Sequence, residues 1–160
     1  MSDNETPENA QASWLKPFEK EVSSIEVDGE EYHYTLVDME KVRAISGGLP
    51  YVVGHPTPDA LFISDNVPAE FRPLILAHEI RHKTTFKDDP EEAQCKRAME
   101  KELRDANRKL APTQYKEYLL QRGQFFDQLV AHYESKEHRD EVSDGFREGI
   151  KSARFCGHLF

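Results

Sequence analysis

The chain has 160 residues, 38% of them hydrophobic and 32% charged, with a formal net charge of -9. That is long enough for one domain with a hydrophobic core, and no apolar run approaches the roughly 20 residues that a membrane helix needs. The acidic excess argues against non-specific nucleic-acid binding, which requires clustered Lys and Arg, and against attraction to anionic membranes.

The start, Met1 to Glu5, is polar and acidic and lacks the basic and apolar regions of a secretory signal. A cytoplasmic location is therefore expected. Cys95 and Cys156 lie far apart with no pairing pattern, so free thiols in a reducing compartment are expected.

Residues 1–12 carry almost no apolar side chain and read as a disordered tail, leaving 13–160 as a single domain. Residues 23–37 read as a β-hairpin: Ile25 and Val27 alternate with polar neighbours, Asp28-Gly29 is a two-residue turn signal, and Tyr32, Tyr34 and Leu36 share a face. A short helix over 38–46 closes at Gly47-Gly48. Strands follow at 51–53 and 60–64, separated by the turn-rich segment 54–59. Asp65 or Asn66 is placed to cap the next helix. Pro68 and Pro73 put its regular start between them, and it should run to about Thr85. Asp89-Pro90 restarts a helix. The remainder to about 155 is helical by pattern, with breaks expected near Pro112 and Gly123. The fold class is α+β, with the sheet and one central helix over about 22–85 and helices over about 90–155.

His78, Glu79 and His82 form His-Glu-x-x-His on that central helix. Residues four apart lie on one helical face, about 5–6 Å apart at Cβ, so two imidazoles can reach one zinc ion at about 2.0–2.1 Å. Glu79 projects about 100° away from His78. From there it can hold and deprotonate a zinc-bound water without ligating the metal. Phe71, Leu74, Ile75, His78 and His82 fall on one core-facing stripe. Imidazoles on a buried stripe are costly without partners, and zinc would be one. The competing reading bonds them to carbonyls or to acids such as Glu100.

A third ligand should come from the helix after Pro90. The first helix extends only about 5 Å beyond His82, and a reversal at 86–89 would return residues 91–95 to the level of the two histidines. Glu92 is the preferred ligand, with Glu91 open. Two acids in a first helical turn also suit the macrodipole without any metal. Cys95 lies on the same helical side and zinc accepts thiolate, although a small buried residue is the plainer role for it. His132 and His138 are further candidates. Tyr115 and Tyr118 could stabilise an oxyanion, but aromatics at helical spacing usually belong to a core.

The segment His78 to His82 resembles the zincin superfamily of metallopeptidases, and with Glu92 the gluzincin branch. The resemblance covers about residues 50–100. It implies a small twisted, mostly antiparallel sheet, an active-site helix and a helical C-terminal half. It also implies a strand before the helix, here 60–64, that pairs with an extended peptide substrate. The implied activity is zinc-dependent hydrolysis of peptide bonds, with Glu79 as base, His78, His82 and Glu92 as metal ligands, and a peptide or protein as substrate. The alternative is a zinc-binding or inactive zincin-like module with a binding or regulatory role. Three features depart from the pattern: a short interval from His82 to Glu92, a charged Arg81 where small or neutral residues are common, and no Gly-x-x-His as metzincins have.

Overall fold

A computed structural model describes residues 12–137, without the side chains of Glu91, Glu92 and 135–137. Residues 1–11 of the expected disordered tail and His138 lie outside the described residues; Ala12, the last residue of that tail, is ordered instead, its N–H donating to Asp59 O at 2.8 Å. The chain forms two compact units. One runs through Ser46 and resumes over Tyr51–Ile80; the other joins Gly47–Pro50 to the chain from Arg81 onward.

The first unit opens with a 3-10 helix at Ser13–Phe18, which the sequence pattern did not suggest. β1 (Glu19–Val27) and β2 (Glu30–Val37) then form the expected hairpin. Its turn is made by Asp28 at φ 52° and Gly29 at φ 86°, the paired positive dihedrals that this dipeptide tolerates. α1 covers only Met39–Val42. Asp38 caps it by accepting from the Glu40 amide at 2.9 Å. Turns follow, and Gly47 and Gly48 both take positive φ.

β3 (Val53–Gly54) and β4 (Phe62–Ser64) complete a four-stranded sheet in the order β1-β2-β4-β3. β1–β2 and β3–β4 are antiparallel, but β2 and β4 are parallel, so the sheet is mixed. β4 has a neighbour on each side, so its backbone groups are committed and it offers no free edge to a substrate strand.

Leu15, Val37, Met39, Val42 and Ala60 form the buried centre of this unit, with Phe18, Val52 and Phe62 packed against it. Asp65 does not cap the central helix as expected. Its Oδ1 accepts from the Met39 amide at 2.9 Å and its Oδ2 from Lys20 Nζ at 3.0 Å. Burial opposes the Asp65 charge, but the Met39 amide and the Lys20 ammonium hold the carboxyl below its ordinary value.

α2 spans Arg72–Lys83. Phe71 N–H donates to Pro68 O at 2.9 Å, an entry turn that leaves Pro73 in the first helical turn, where no partner is needed for its missing N–H. The helix is not amphipathic in the way the stripe suggested. Leu74 to His78, Ile80 and Arg81 are all buried; Glu79 and His82 are half-buried and Lys83 is exposed.

In the second unit, α3 runs Glu91–Lys109 after Pro90, and α4 runs Pro112–Glu137. α3 starts directly after Pro90 and α4 at Pro112, the two prolines at which a restart and a break were expected. Gly123 does not break α4. A helical glycine costs about 1 kcal/mol, and its buried neighbours Arg122, Phe125 and Phe126 anchor both sides of it. Glu102 and Arg122 are wholly buried. Arg122 donates to both Glu102 oxygens, Nε to Oε2 at 2.9 Å and Nη2 to Oε1 at 2.8 Å. The Tyr118 hydroxyl donates to Oε2 at 2.5 Å, and Arg122 lies 4.9 Å from the Phe126 ring centre.

Candidate metal centre

The last turn of α2 carries Arg81 and His82, one helical turn beyond His78. A string of turns then reverses the chain. Phe86 N–H donates to Arg81 O at 3.0 Å, Lys87 N–H to Thr84 O at 3.3 Å, and Asp89 N–H to Phe86 O at 3.1 Å. Gln94 fastens this reversal to α3, its Nε2 donating to Asp89 O at 2.8 Å and to Lys87 O at 3.1 Å. Arg97 adds an exposed ion pair to Asp89 at 3.2 Å. The residue after Gln94 is Cys95, so the contacts that close the loop also set the height of Cys95 on α3.

Arg81 is the residue that departed from the zincin pattern. It is buried, and its Nη1 lies 3.5 Å from Asp105 Oδ2 on α3. Asp105 also meets Lys101 Nζ at 3.0 Å and Arg108 Nη2 at 3.2 Å. Burial opposes ionisation of Asp105, but the hydrogen bond and charge of Lys101, together with Arg81 and Lys109, hold its carboxyl below the ordinary value. Arg81 therefore ties the last turn of α2 to α3. No sequence signal singled out Asp105, because α3 offers several acids at similar heights.

A donor atom from each of His78, His82 and Cys95 lies within 4.8 Å of the others, and this is the one such group of three or more His, Cys, Asp or Glu among the described residues. Separations of that order suit donors around a tetrahedral ion with bonds of about 2.0–2.3 Å. The set is two nitrogens and a sulfur, the donor chemistry that zinc prefers. His78 and Cys95 are buried and His82 is half-buried. Glu79 is half-buried three residues before His82, so these two share the side of α2 that solvent can reach.

The expectation of a free thiol does not hold at Cys95, whose sulfur is in a disulfide. The other cysteine of the chain, Cys156, lies outside the described residues. A disulfide sulfur is not a thiolate, so Cys95 can ligate a metal only in the reduced protein.

The other candidates fall elsewhere. Glu91 and Glu92 occupy the first turn of α3, but their side chains lie outside the described residues. Glu100 is exposed. His132 packs on Gly47, where any Cβ would run into its ring, and it lies 6.1 Å from the Tyr133 ring centre. Tyr118 is committed to Glu102 and is core, as aromatics at helical spacing usually are. Tyr115 is half-buried on α4.

No protein-family model matches the chain, and no curated protein or solved structure is significantly similar to it. No described helix is long and apolar enough to cross a membrane.

Proposed function

We propose that the chain is a zinc-dependent peptidase in which His78, His82 and reduced Cys95 hold the metal and Glu79 is the general base. The observation that carries this reading is the convergence of those three donor atoms within 4.8 Å, beside a glutamate on the accessible side of the same helix. Three donors, the set found among the described residues, would leave one position of a tetrahedral ion for water and substrate, as in a catalytic site. Zinc held there supplies Lewis acidity toward a carbonyl oxygen and lowers the pKa of water. Glu79 takes the proton from the attacking water and returns it to the leaving amine. His78 and His82 are positioned by α2 itself, and Cys95 by the Gln94 latch and the Arg81–Asp105 pair. The peptide bond as substrate rests on the resemblance of His78–His82 to the zincin signature.

The test is Glu79→Gln, assayed on a mixed peptide library with the reduced, zinc-loaded protein. Hydrolysis should fall by at least about a hundredfold, the usual contribution of a general base, while one zinc per chain is retained. Loss of zinc together with activity would make Glu79 a ligand and overturn its role as base. Cys95→Ser and Glu92→Gln, assayed for zinc content, decide the third donor. Retained zinc in the first and lost zinc in the second would assign that place to Glu92. Stoichiometric zinc without hydrolysis of any peptide would favour a structural or regulatory module.

A further inference from the structure

The hairpin of the first unit leaves one long strand edge open. The sheet order puts β1 outermost. Among the described residues, no backbone hydrogen bond joins residues 20–27 to anything but β2. A two-residue turn makes its flanking residues, Val27 and Glu30, exchange hydrogen bonds, and bonding then alternates along the pair. Ile25 and Ser23 therefore also bond β2, while Val22, Ser24 and Glu26 turn their N–H and C=O groups outward. A bulge between Glu19 and Glu21 blunts the start of this edge, but the run from Val22 to Val27 pairs in unbroken register. Such an edge is a template for another strand. The opposite edge, β3, has only two residues.

Charge selects what can pair there. Residues 19–37 carry Glu19, Glu21, Glu26, Asp28, Glu30 and Glu31 against Lys20 alone, a formal charge of -5 within the chain's -9. Lys20 is engaged by Asp65 at 3.0 Å. Glu26 and Glu31 stand directly opposite each other in the ladder, both exposed. They form a non-hydrogen-bonded pair, the closer kind, and like charges so placed destabilise a hairpin. A second copy of β1 would set two acidic edges side by side, so these carboxylates oppose self-pairing. A Lys or Arg opposite Glu26 on an added strand relieves the repulsion instead.

We propose that the outer edge of β1, from Val22 to Val27, takes up an extended segment of another protein as an added strand, with Lys or Arg opposite Glu26. Main-chain bonds to Val22, Ser24 and Glu26 hold the segment, and the carboxylates select its charge. The site lies within the first unit and does not depend on the metal reading above.

The experiment follows the fluorescence anisotropy of a labelled peptide of alternating Lys and Val on the full chain, at about 0.15 M salt. One control peptide carries Glu in place of Lys. The other is N-methylated at every Lys, the residues whose N–H groups face β1 when Lys lies opposite Glu26. The Lys peptide should bind the wild type at least about tenfold more tightly than either control, because the methylated one leaves edge acceptors unpaired and the acidic one is repelled. Ser24→Pro removes an outward N–H without touching the ladder to β2, and should weaken the Lys peptide about tenfold. Glu26→Lys should weaken it at least about threefold.

Equal binding of the methylated and unmethylated Lys peptides overturns strand addition and leaves only electrostatic adsorption. Equal binding of the Glu peptide overturns the selection by charge, and absence of binding to the wild type overturns the site. A dimer in sedimentation that Ser24→Pro abolishes makes a second copy the occupant, which overturns the proposal as well. If Ser24→Pro loses its far-UV circular dichroism, the two Lys peptides compared on the wild type still decide.

Discussion

The two units are stabilised by different means. The centre of the first is apolar: Leu15, Val37, Met39, Val42 and Ala60 meet under the sheet, and its ion pair at Lys20–Asp65 is peripheral. The interior of the second holds charges among apolar residues such as Ala98, Met99 and Phe126: Glu102 and Arg122 are wholly buried with Tyr118, and Arg81 and Asp105 are nearly so. Apolar packing is forgiving of shape and non-directional. A buried ion pair is directional and costly to break, because each partner left alone is a desolvated charge. The metal-binding candidates draw on the second kind of support, since Arg81 and Asp105 bring the end of α2 to α3.

The sharpest way to break this contrast is Arg122→Met. It strands the Glu102 carboxylate in the core of the second unit and should cost about 3–5 kcal/mol in urea denaturation. Adding Glu102→Leu should restore most of that loss, since removing both charges removes the desolvation penalty. A single substitution costing under about 1 kcal/mol, the scale of a surface pair, would mean that the charged network is not what holds α3 to α4. In the first unit, Leu15→Ala should cost about 3 kcal/mol through lost transfer energy and a cavity. No charge-restoring partner exists there, and a compensating Val37→Leu or similar enlargement should recover only part.

The smallest effect is pH dependence at Asp105. Its carboxyl titrates below its unfolded value, so its stabilising contribution is full above the ordinary carboxylate pKa of about 3.9 and is lost as pH falls through the lower folded value. Thermal unfolding followed from pH 6 to pH 2 should show this loss in the wild type, and a shallower acid slope in Asp105→Asn. Identical slopes would sink the assignment of that ion cluster to folding.

Much of the architecture was legible in local chemistry. Asp28-Gly29 announced the hairpin, Asp89-Pro90 and Pro112 the starts of α3 and α4, and His78, Glu79 and His82 their common helix. Where local signals failed, a distant partner had prevailed. Asp65, a good cap by type, serves α1 because Met39 N–H lies beside it. Gly123 stays helical because residues on either side are buried. Strand 60–64, which the resemblance implied would pair with an extended substrate, lies between two neighbours because β2 pairs with it in parallel, and no local pattern encodes a parallel partner.

At the candidate centre the division is the same. The sequence alone determined that two histidines and a glutamate ride one helix, because a 3.6-residue period sets their directions whatever surrounds them. Only the tertiary structure decided that Cys95 joins them and that Arg81 belongs there. Which side chain of α3 comes level with His82 depends on how the reversal between Lys83 and Glu91 closes and on where one buried guanidinium finds its carboxylate. Those are contacts between residues distant in the chain, and the order of residue types does not determine them.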